Sequence, residues 1–591
     1  MTNSRPKIQN SQLRQGSAGQ AKLTAMRHSC AHLLAAAVKK IFPGAKFAIG
    51  PVIENGFYYD FDLPRQLTPA DLGKIEKEMV KIASQNFAIT KTSLSRQEAI
   101  KKEKYSKQSY KLELINDLSD KKLTYYTLAN FADLCRGPHV KNTKEIGPFK
   151  LLSLAGAYWK GSEENPMLQR IYGTCFPTQK ELDAHLKNLE EAEKRDHRVL
   201  GRTLDLFSLP EEVGAGLPVW HPKGAILRGI IEDFWKKEHQ KRGYQLVYTP
   251  HIGSVGLWKK SGHWDFYREN MYSPIKIDKQ EYLLKPMNCP FHIMIFKQHM
   301  RSYRDLPIRY AELGTVYRYE RSGVLGGLTR VRGFTQDDAH IFLRPDQLQK
   351  EIENVLDLAT LMMKTFGFSP KAYLSTKPQK SLGSPAEWKR ATSALEGALK
   401  SKKISYEIDP GEGVFYGPKI DIKIADALDR EWQGPTIQVD FNFPQKFDIA
   451  YIDESGKKQH PIMVHRTVLG SMERFVGILI EHFAGAFPAW LSPTQAVVIP
   501  ISTQKHLKYA KEVLDQLISA DIRAETDSRN ESVSKKIRDA EIQKVPYMIV
   551  VGDKEVKSKT INVRFRDTNR KQTLKPAQFI KTALTEITNK K

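Results

Sequence analysis

The sequence predicts an α/β protein of several domains, on three observations. Its 591 residues, 40% of them apolar, exceed what one hydrophobic core organises, and the length prior is about three or four domains. Segments with a helical apolar stripe alternate with short runs patterned like strands. The last hundred or so residues read strand, helix, strand, an α/β unit. Neither a P-loop nor a Gly-x-Gly-x-x-Gly fingerprint occurs, which argues against Walker or Rossmann nucleotide binding. A net charge of +25 favours a polyanionic partner, nucleic acid first. Four cysteines are too few for a disulfide scaffold and point to a reducing, cytoplasmic setting. No apolar run approaches the roughly 18 residues of a membrane span, and no signal-peptide pattern opens the chain. The first acidic residue is Glu54, yet the basic start lacks an amphipathic stripe, so 1–23 reads as a disordered tail.

A first helix is expected over 24–41, capped by Thr24 and ended by Pro43-Gly44. His28 and His32 lie four residues apart on one of its faces. Cys135 and His139 repeat that spacing in Asp133-Leu-Cys-Arg-Gly-Pro-His139. Two histidines with a Cys/His pair can bind zinc, and any one of these residues alone is more often structural. A connecting helix over 178–203 keeps a Leu182, Leu186, Leu189 stripe among charged residues. Composition changes at Leu204, where a second domain begins. His221-Pro-Lys-Gly224 leads into an amphipathic helix, and a strand ends at Pro250.

Next come Ser261-Gly-His263-Trp264 and Lys285-Pro-Met287-Asn-Cys289-Pro290, with Cys289 expected in a turn. Residues 315–341 show strand periodicity around a loop containing Gly323, Gly326 and Gly327. On such a hairpin Arg318, Glu320, Arg330 and Arg332 share a face, and arginine forks suit phosphate. Asp337, Asp338 and His340 follow, able to hold an amine or a metal; a charged, solvated hairpin is the plain alternative. A helix is expected over 345–366. Leu491-Ser-Pro-Thr494 is a linker, after which 496–501, 522–526 and 547–551 read as strands and 504–520 as a helix. Residues 492–591 hold 20 Lys and Arg against 12 Asp and Glu, a net +8.

Tyr317-Arg318-Tyr319-Glu320 resembles motif 2 of class II aminoacyl-tRNA synthetases. The run Gly333-Phe-Thr-Gln-Asp-Asp-Ala-His-Ile-Phe342 resembles threonyl-tRNA synthetases in particular. Leu469-Gly-Ser-Met-Glu-Arg474 is similar to motif 3, and the helix and strand before Pro250 to motif 1, the dimer interface of the class. Arg27-His-Ser-Cys-Ala-His32, Cys135-Arg-Gly-Pro-His139, Ala155-Gly-Ala-Tyr-Trp159 and Gln169-Arg-Ile-Tyr-Gly173 resemble the editing domain of bacterial members.

The resemblance implies an α+β editing domain over 24–177 and a linker helix over 178–203. It implies a catalytic domain over 204–491, built on an antiparallel sheet with flanking helices, and an α/β anticodon-binding domain over 492–591. It implies a homodimer without the extra small N-terminal domain of most bacterial members. The implied substrates are L-threonine, ATP with Mg2+, and tRNA(Thr). Cys289, His340 and His465 are the implied ligands of one Zn2+. Their separations of 51 and 125 residues form no finger spacing.

Further roles follow from the same likeness. Asp338 would accept from the threonine hydroxyl. Arg318 would hold the α-phosphate, while Gln336 and Lys419 orient the carboxylate. Arg474 and Arg330 would hold the outer phosphates, and Glu320 would face adenine. Met287, Tyr416 and Gln433 would line the substrate pocket. His263 and Gln438 would serve the transfer step. His28, His32, Lys111, Asp133, Cys135 and His139 would edit, by histidine-assisted attack of water. Two rivals remain: another class II synthetase, lacking the zinc trio, and a synthetase-like RNA binder that has lost its chemistry.

Overall fold

The computed structural model describes residues 18–379, 381–428, 430–568 and 570–590. It divides into two compact units at Glu190/Glu191, inside the helix expected to link domains.

The first unit opens with helix α1 (Ala18–Ile41), which starts ahead of the expected cap. Thr24 is not a cap: its hydroxyl donates to the Gln20 carbonyl within the helix. Of the expected tail, 18–23 are therefore helical and 1–17 lie outside the described residues. Small side chains let α1 sink into the unit, where Ala31, Leu34, Ala35 and Val38 pack with Phe57, Tyr59 and Phe61 of strand β1 (Gly56–Asp62). Helix α2 (Pro69–Ser84) contributes Ile75 and Met79 to the same core. A three-stranded antiparallel sheet joins β2 (Ile89–Ser95), β3 (Lys122–Leu128) and β4 (Phe131–Leu134). Strands β5 (Phe149–Tyr158) and β6 (Met167–Cys175) complete the larger sheet beside β1. The unit ends in helix α3 (Gln179–Arg195).

The second unit begins with helix α4 (His197–Thr203), followed by α5 (Pro222–Gln240) and the short strand β7 (Gln245–Leu246). Cys289 opens helix α6 (Cys289–Lys297) instead of lying in a turn, because Pro290 suits the first helical turn. Strands β8 (Ile308–Tyr317) and β9 (Gly333–Leu343) form the expected hairpin. They are shorter than their periodicity suggests: Arg318, Glu320, Arg330 and Arg332 all lie in the connection, not on the strands. Helix α7 (Leu348–Thr365) precedes β10 (Ser369–Ser375), helix α8 (Pro385–Ser401) and β11 (Tyr406–Asp409). Strands β12 (Lys419–Ala425), β13 (Glu431–Asp440) and β14 (Ile462–Thr467) then lead into helix α9 (Met472–His482).

These strands make one sheet in the order β7-β8-β9-β14-β13-β12-β10-β11, antiparallel except at its two edges. Successive side chains point to opposite faces of a strand. Ala339, Ile341 and Leu343 of β9, Ile437 and Val439 of β13, and Val464 of β14 meet α7, α8 and α9 in one core. The alternate residues Gln336, Asp338, His340, Gln438 and His465 are thereby turned to the other face. That separation builds the site.

The C-terminal part holds β15 (Ala496–Pro500), helix α10 (Thr503–Ser519), β16 (Ala524–Thr526), helix α11 (Val533–Ile542) and β17 (Tyr547–Val551), the three strands parallel as expected. An antiparallel pair, β18 (Ile561–Phe565) and β19 (Lys571–Leu574), extends that sheet before helix α12 (Pro576–Thr588). No helix among the described residues is long and apolar enough to cross a membrane.

Candidate active site

Register assembles the main site. His340 of β9 faces His465 of β14, which faces Gln438 of β13, which faces Lys419 of β12: one row across four strands. Asp338 and Gln336 precede His340 at alternate positions of β9. A cavity of about 320 Å³ opens over this face. All the residues expected at this site line it except Lys419, which instead pairs with Asp421 at 2.6 Å. Arg332, from the same expected face as Arg318, also turns away, with its Nε donating to the Glu320 carbonyl at 2.8 Å.

Three arginines concentrate positive charge in the cavity. Arg318 Nε donates to the Pro286 carbonyl at 3.2 Å, and its guanidinium lies 5.2 Å from the Phe334 ring. Arg330 Nε reaches Glu320 at 3.2 Å. Arg474 stands in the first turn of α9, whose cap is the Ser471 hydroxyl, and donates to the Thr329 carbonyl at 3.0 Å. Burial pulls the pKa of Arg318 down, with Tyr267 and Asp338 opposing. Burial also lowers that of Arg474, and there the charges of Arg330 and Arg318 reinforce it. This crowding of cations fits a polyphosphate, which relieves it.

Cys289, His340 and His465 are all buried, and one ligand atom from each lies within 4.8 Å of the other two. The residues behind them fit a metal. His292 Nε2 meets Glu312 at 3.1 Å, so His292 Nδ1 accepts from His340 Nδ1 at 2.8 Å. That leaves the Nε2 lone pair of His340 bare. His465 Nε2 meets Asp440 at 3.0 Å, leaving its Nδ1 bare. Histidine ligands are oriented by such outer partners, and a thiolate with two imidazoles suits zinc with an open position. Without a cation, burial pushes the Cys289 thiol well up and the His340 imidazole well down. Asn288 donates to Asp338 at 3.2 Å, and burial raises that carboxyl.

His263 Nε2 lies 3.9 Å from Cys289 Sγ, its Nδ1 is 2.7 Å from the Ser261 hydroxyl, and burial lowers its pKa to about 3. The Tyr416 hydroxyl donates to Gln438 at 2.5 Å. The sequence reading missed His292 and Glu312 behind the trio, and Phe334 and Tyr267 on the wall. The family likeness takes in Asp440 among the positions around threonine and adenylate, and the structure puts it behind His465. The alternation Phe334, Gln336, Asp338, His340 carries a signal for Phe334, and the spacing of His292 from Cys289 on α6 one for His292. Glu312 and Asp440 are brought in by register alone.

The first unit gathers a second cluster. His28, His32, Cys135 and His139 each offer a ligand atom within 4.8 Å of the rest. Cys135 Sγ lies 3.2 Å from Nε2 of both His28 and His139. The Ser29 hydroxyl sits 3.0 Å from His139 Nδ1, and since it donates to the Ala25 carbonyl it accepts there. Asp133 lies 3.7 Å from His32 Nε2, pairs with Lys111, and accepts from Tyr59 at 2.5 Å. Gly137, at φ +77, turns the chain between Cys135 and His139; a Cβ there would stand 2.5 Å from the Tyr126 hydroxyl. Burial lowers the pKa of His28, His32 and His139, and raises the Cys135 thiol to about 11. Neutral imidazoles beside a buried ion pair can orient water and take its proton. Tyr59, Ser29 and Tyr126 had no local sequence signal.

An antiparallel sheet bearing a motif 2 hairpin, a motif 3 helix and a cationic cavity defines a class II aminoacyl-tRNA synthetase core. The family model "tRNA synthetase class II core domain (G, H, P, S and T)" matches residues 272–483. "Anticodon binding domain" matches 495–586, and "Threonyl and Alanyl tRNA synthetase second additional domain" matches 123–172. A threonine–tRNA ligase of Dehalococcoides mccartyi is 58% identical over 573 residues, 96% of this chain and 98% of its own. One of Pelobacter propionicus is 56% identical over 567 residues, 96% and 89% of the two chains. The crystal structure of the RNA binding domain of threonyl-tRNA synthetase from Cryptosporidium parvum is 41% identical, with a TM-score of 0.63, covering 66% of this chain and 98% of that one. The chain belongs to the threonine–tRNA ligase family.

Proposed function

We propose that this chain activates L-threonine with MgATP, transfers it to the 3′ end of tRNA(Thr), and hydrolyses seryl-tRNA(Thr) made in error. The observation that carries this reading is the union, on one sheet face, of Cys289, His340 and His465 with Asp338 and Gln336, beside Arg318 and Arg474. Cys289, His340 and His465 would hold a Zn2+, which would supply a Lewis-acid site toward the amine and hydroxyl of threonine. Asp338 accepts from that hydroxyl. Gln336 turns the carboxylate toward the α-phosphate; Lys419, held by Asp421 at the end of the row, stands outside the cavity. Arg318 stabilises the charge that develops there, and Arg474 and Arg330 hold the outer phosphates. Glu320 faces the adenine; Met287, Tyr416 and Gln433 close the pocket. Catalysis is then positioning and preorganised charge. In transfer, His263 and Gln438 attend the terminal ribose.

Serine carries the same amine and hydroxyl as threonine and differs by a methyl, worth only about 1–3 kcal/mol in a pocket. A second, hydrolytic site is therefore physically motivated. His28, His32 and His139, with Cys135, position and deprotonate water, and the Lys111–Asp133 pair holds the charge balance. We assign 24–177 to editing, 178–203 to the linker, 204–491 to catalysis and 492–591 to the anticodon. Self-association through the 222–250 segment and a cytoplasmic location complete the proposal. Charging of a tRNA(Thr) transcript with threonine, followed by deacylation of seryl-tRNA(Thr), tests it. Failure to charge contradicts the synthetase reading; failure to deacylate contradicts the editing reading alone.

A further inference from the structure

Outside both sites, Asp196, His197 and Glu481 form a third cluster of possible metal ligands among the described residues. Its three side chains are already engaged by protein partners, Glu481 also by Arg430 at 2.6 Å. Asp196 is engaged by Arg198, through both carboxylate oxygens. His197 uses both ring nitrogens: Nδ1 lies 2.6 Å from Glu481, and Nε2 accepts the Leu328 backbone N–H at 2.9 Å. The tautomer is thus fixed, with the proton on Nδ1. His197, Glu481 and Leu328 are buried.

Leu328 belongs to the connection between β8 and β9 that carries Arg330. The next carbonyl, Thr329, accepts from Arg474 of α9. Arg474 and Glu481 are two turns apart on α9 and share a face. Consecutive backbone groups of the loop are therefore gripped from one helix, directly by Arg474 and through His197 by Glu481. Gly327 passes so close that a Cβ would stand 2.2 Å from His197 Nε2, and at φ +54 it favours glycine in any case. Arg195 donates to the His482 carbonyl at 3.1 Å, fixing the chain around His197 to the end of α9.

We propose that His197 is a positioning residue for ATP: its imidazole clamp sets the loop carrying Arg330 against the helix carrying Arg474. This rests on the reading that those arginines hold the outer phosphates. The test is the KM for ATP and for threonine in threonine-dependent pyrophosphate exchange. His197→Leu removes both hydrogen bonds and is expected to raise the ATP KM about five- to tenfold while leaving the threonine KM within about twofold. His197→Gln, whose carboxamide carries both a donor and an acceptor to that reach, is expected to restore the ATP KM to within about twofold of wild type. If His197→Leu does not fold, His197→Asn replaces it. Its shorter carboxamide keeps Glu481 and loses Leu328, with the same expected rise. An unchanged ATP KM in the folded Leu or Asn variant, an equal rise in the threonine KM, or a Gln variant as impaired as Leu overturns the proposal. Wild-type protein without any threonine-dependent exchange overturns the synthetase reading instead, a separate result.

Discussion

His340 and His465 stand directly opposite each other on adjacent antiparallel strands, with ring centroids 4.8 Å apart. Each has one ring nitrogen held from behind, by His292 and by Asp440, and both histidines offer a ligand atom within 4.8 Å of that of Cys289. Purified protein is therefore expected to hold one zinc per chain, measured by metal analysis. Cys289→Ala should lose it. Asp440→Asn should weaken it about 10–100-fold in a chelator competition while the fold is kept. A second equivalent of zinc in wild type would place metal at the His28 cluster and contradict water activation by free imidazoles there.

His28→Ala or His139→Ala should slow deacylation of seryl-tRNA(Thr) by about 10²–10⁴-fold, the range of a positioned general base. Threonine charging should stay within about twofold, because these residues belong to the first unit and take no part in the sheet site. Equal losses of charging and deacylation would refute the separation of the two activities.

The editing rate should keep its value as pH falls from 8 to 6. Burial lowers the pKa of His139 to about 2, so its proton-accepting form persists through that range. An inflection near 6.5, after subtracting spontaneous ester hydrolysis, would contradict this. The same shift has a stability consequence. Below pH 6.5 the unfolded chain takes up protons that the folded one refuses, so folding stability falls with pH from there downward.

Much of this was legible locally. The motif 2 hairpin, Arg474 in the first turn of an apolar helix, and the alternation from Phe334 to His340 are runs of neighbours in the chain. Pairing register is not. Cys289, His340 and His465 meet because β9 and β14 are adjacent and α6 begins beside them, and no spacing encodes that. Glu312 and Asp440 became outer partners by the same route. Where local rules misled, tertiary structure prevailed. Thr24 was expected to cap a helix that continues past it, and Cys289 to lie in a turn where a helix begins. Periodicity carried the hairpin strands too far, so Arg332, expected beside Arg318, points elsewhere. The β18–β19 pair is absent from the sequence reading, although Ile561, Val563 and Phe565 of β18 alternate with Asn562 and Arg564; only β19, Lys-Gln-Thr-Leu, lacks that pattern.

The tRNA interaction should depend on salt. With net +8 on 492–591, raising salt from about 50 to 200 mM should raise the tRNA KM for charging at least about tenfold, through counterion release. Threonine-dependent pyrophosphate exchange, which needs no tRNA, should change little. Parallel losses in both would remove the polyelectrolyte explanation.

In the proposed function, Cys289, His340 and His465 together select the amino acid. Pyrophosphate exchange driven in turn by each of the twenty amino acids measures that selection directly. Threonine should drive it best, serine about 10–200-fold less well for want of one methyl, and valine not measurably, having no hydroxyl to offer. Exchange driven best by any other amino acid, or threonine-driven exchange that survives intact in Cys289→Ala, would contradict the account.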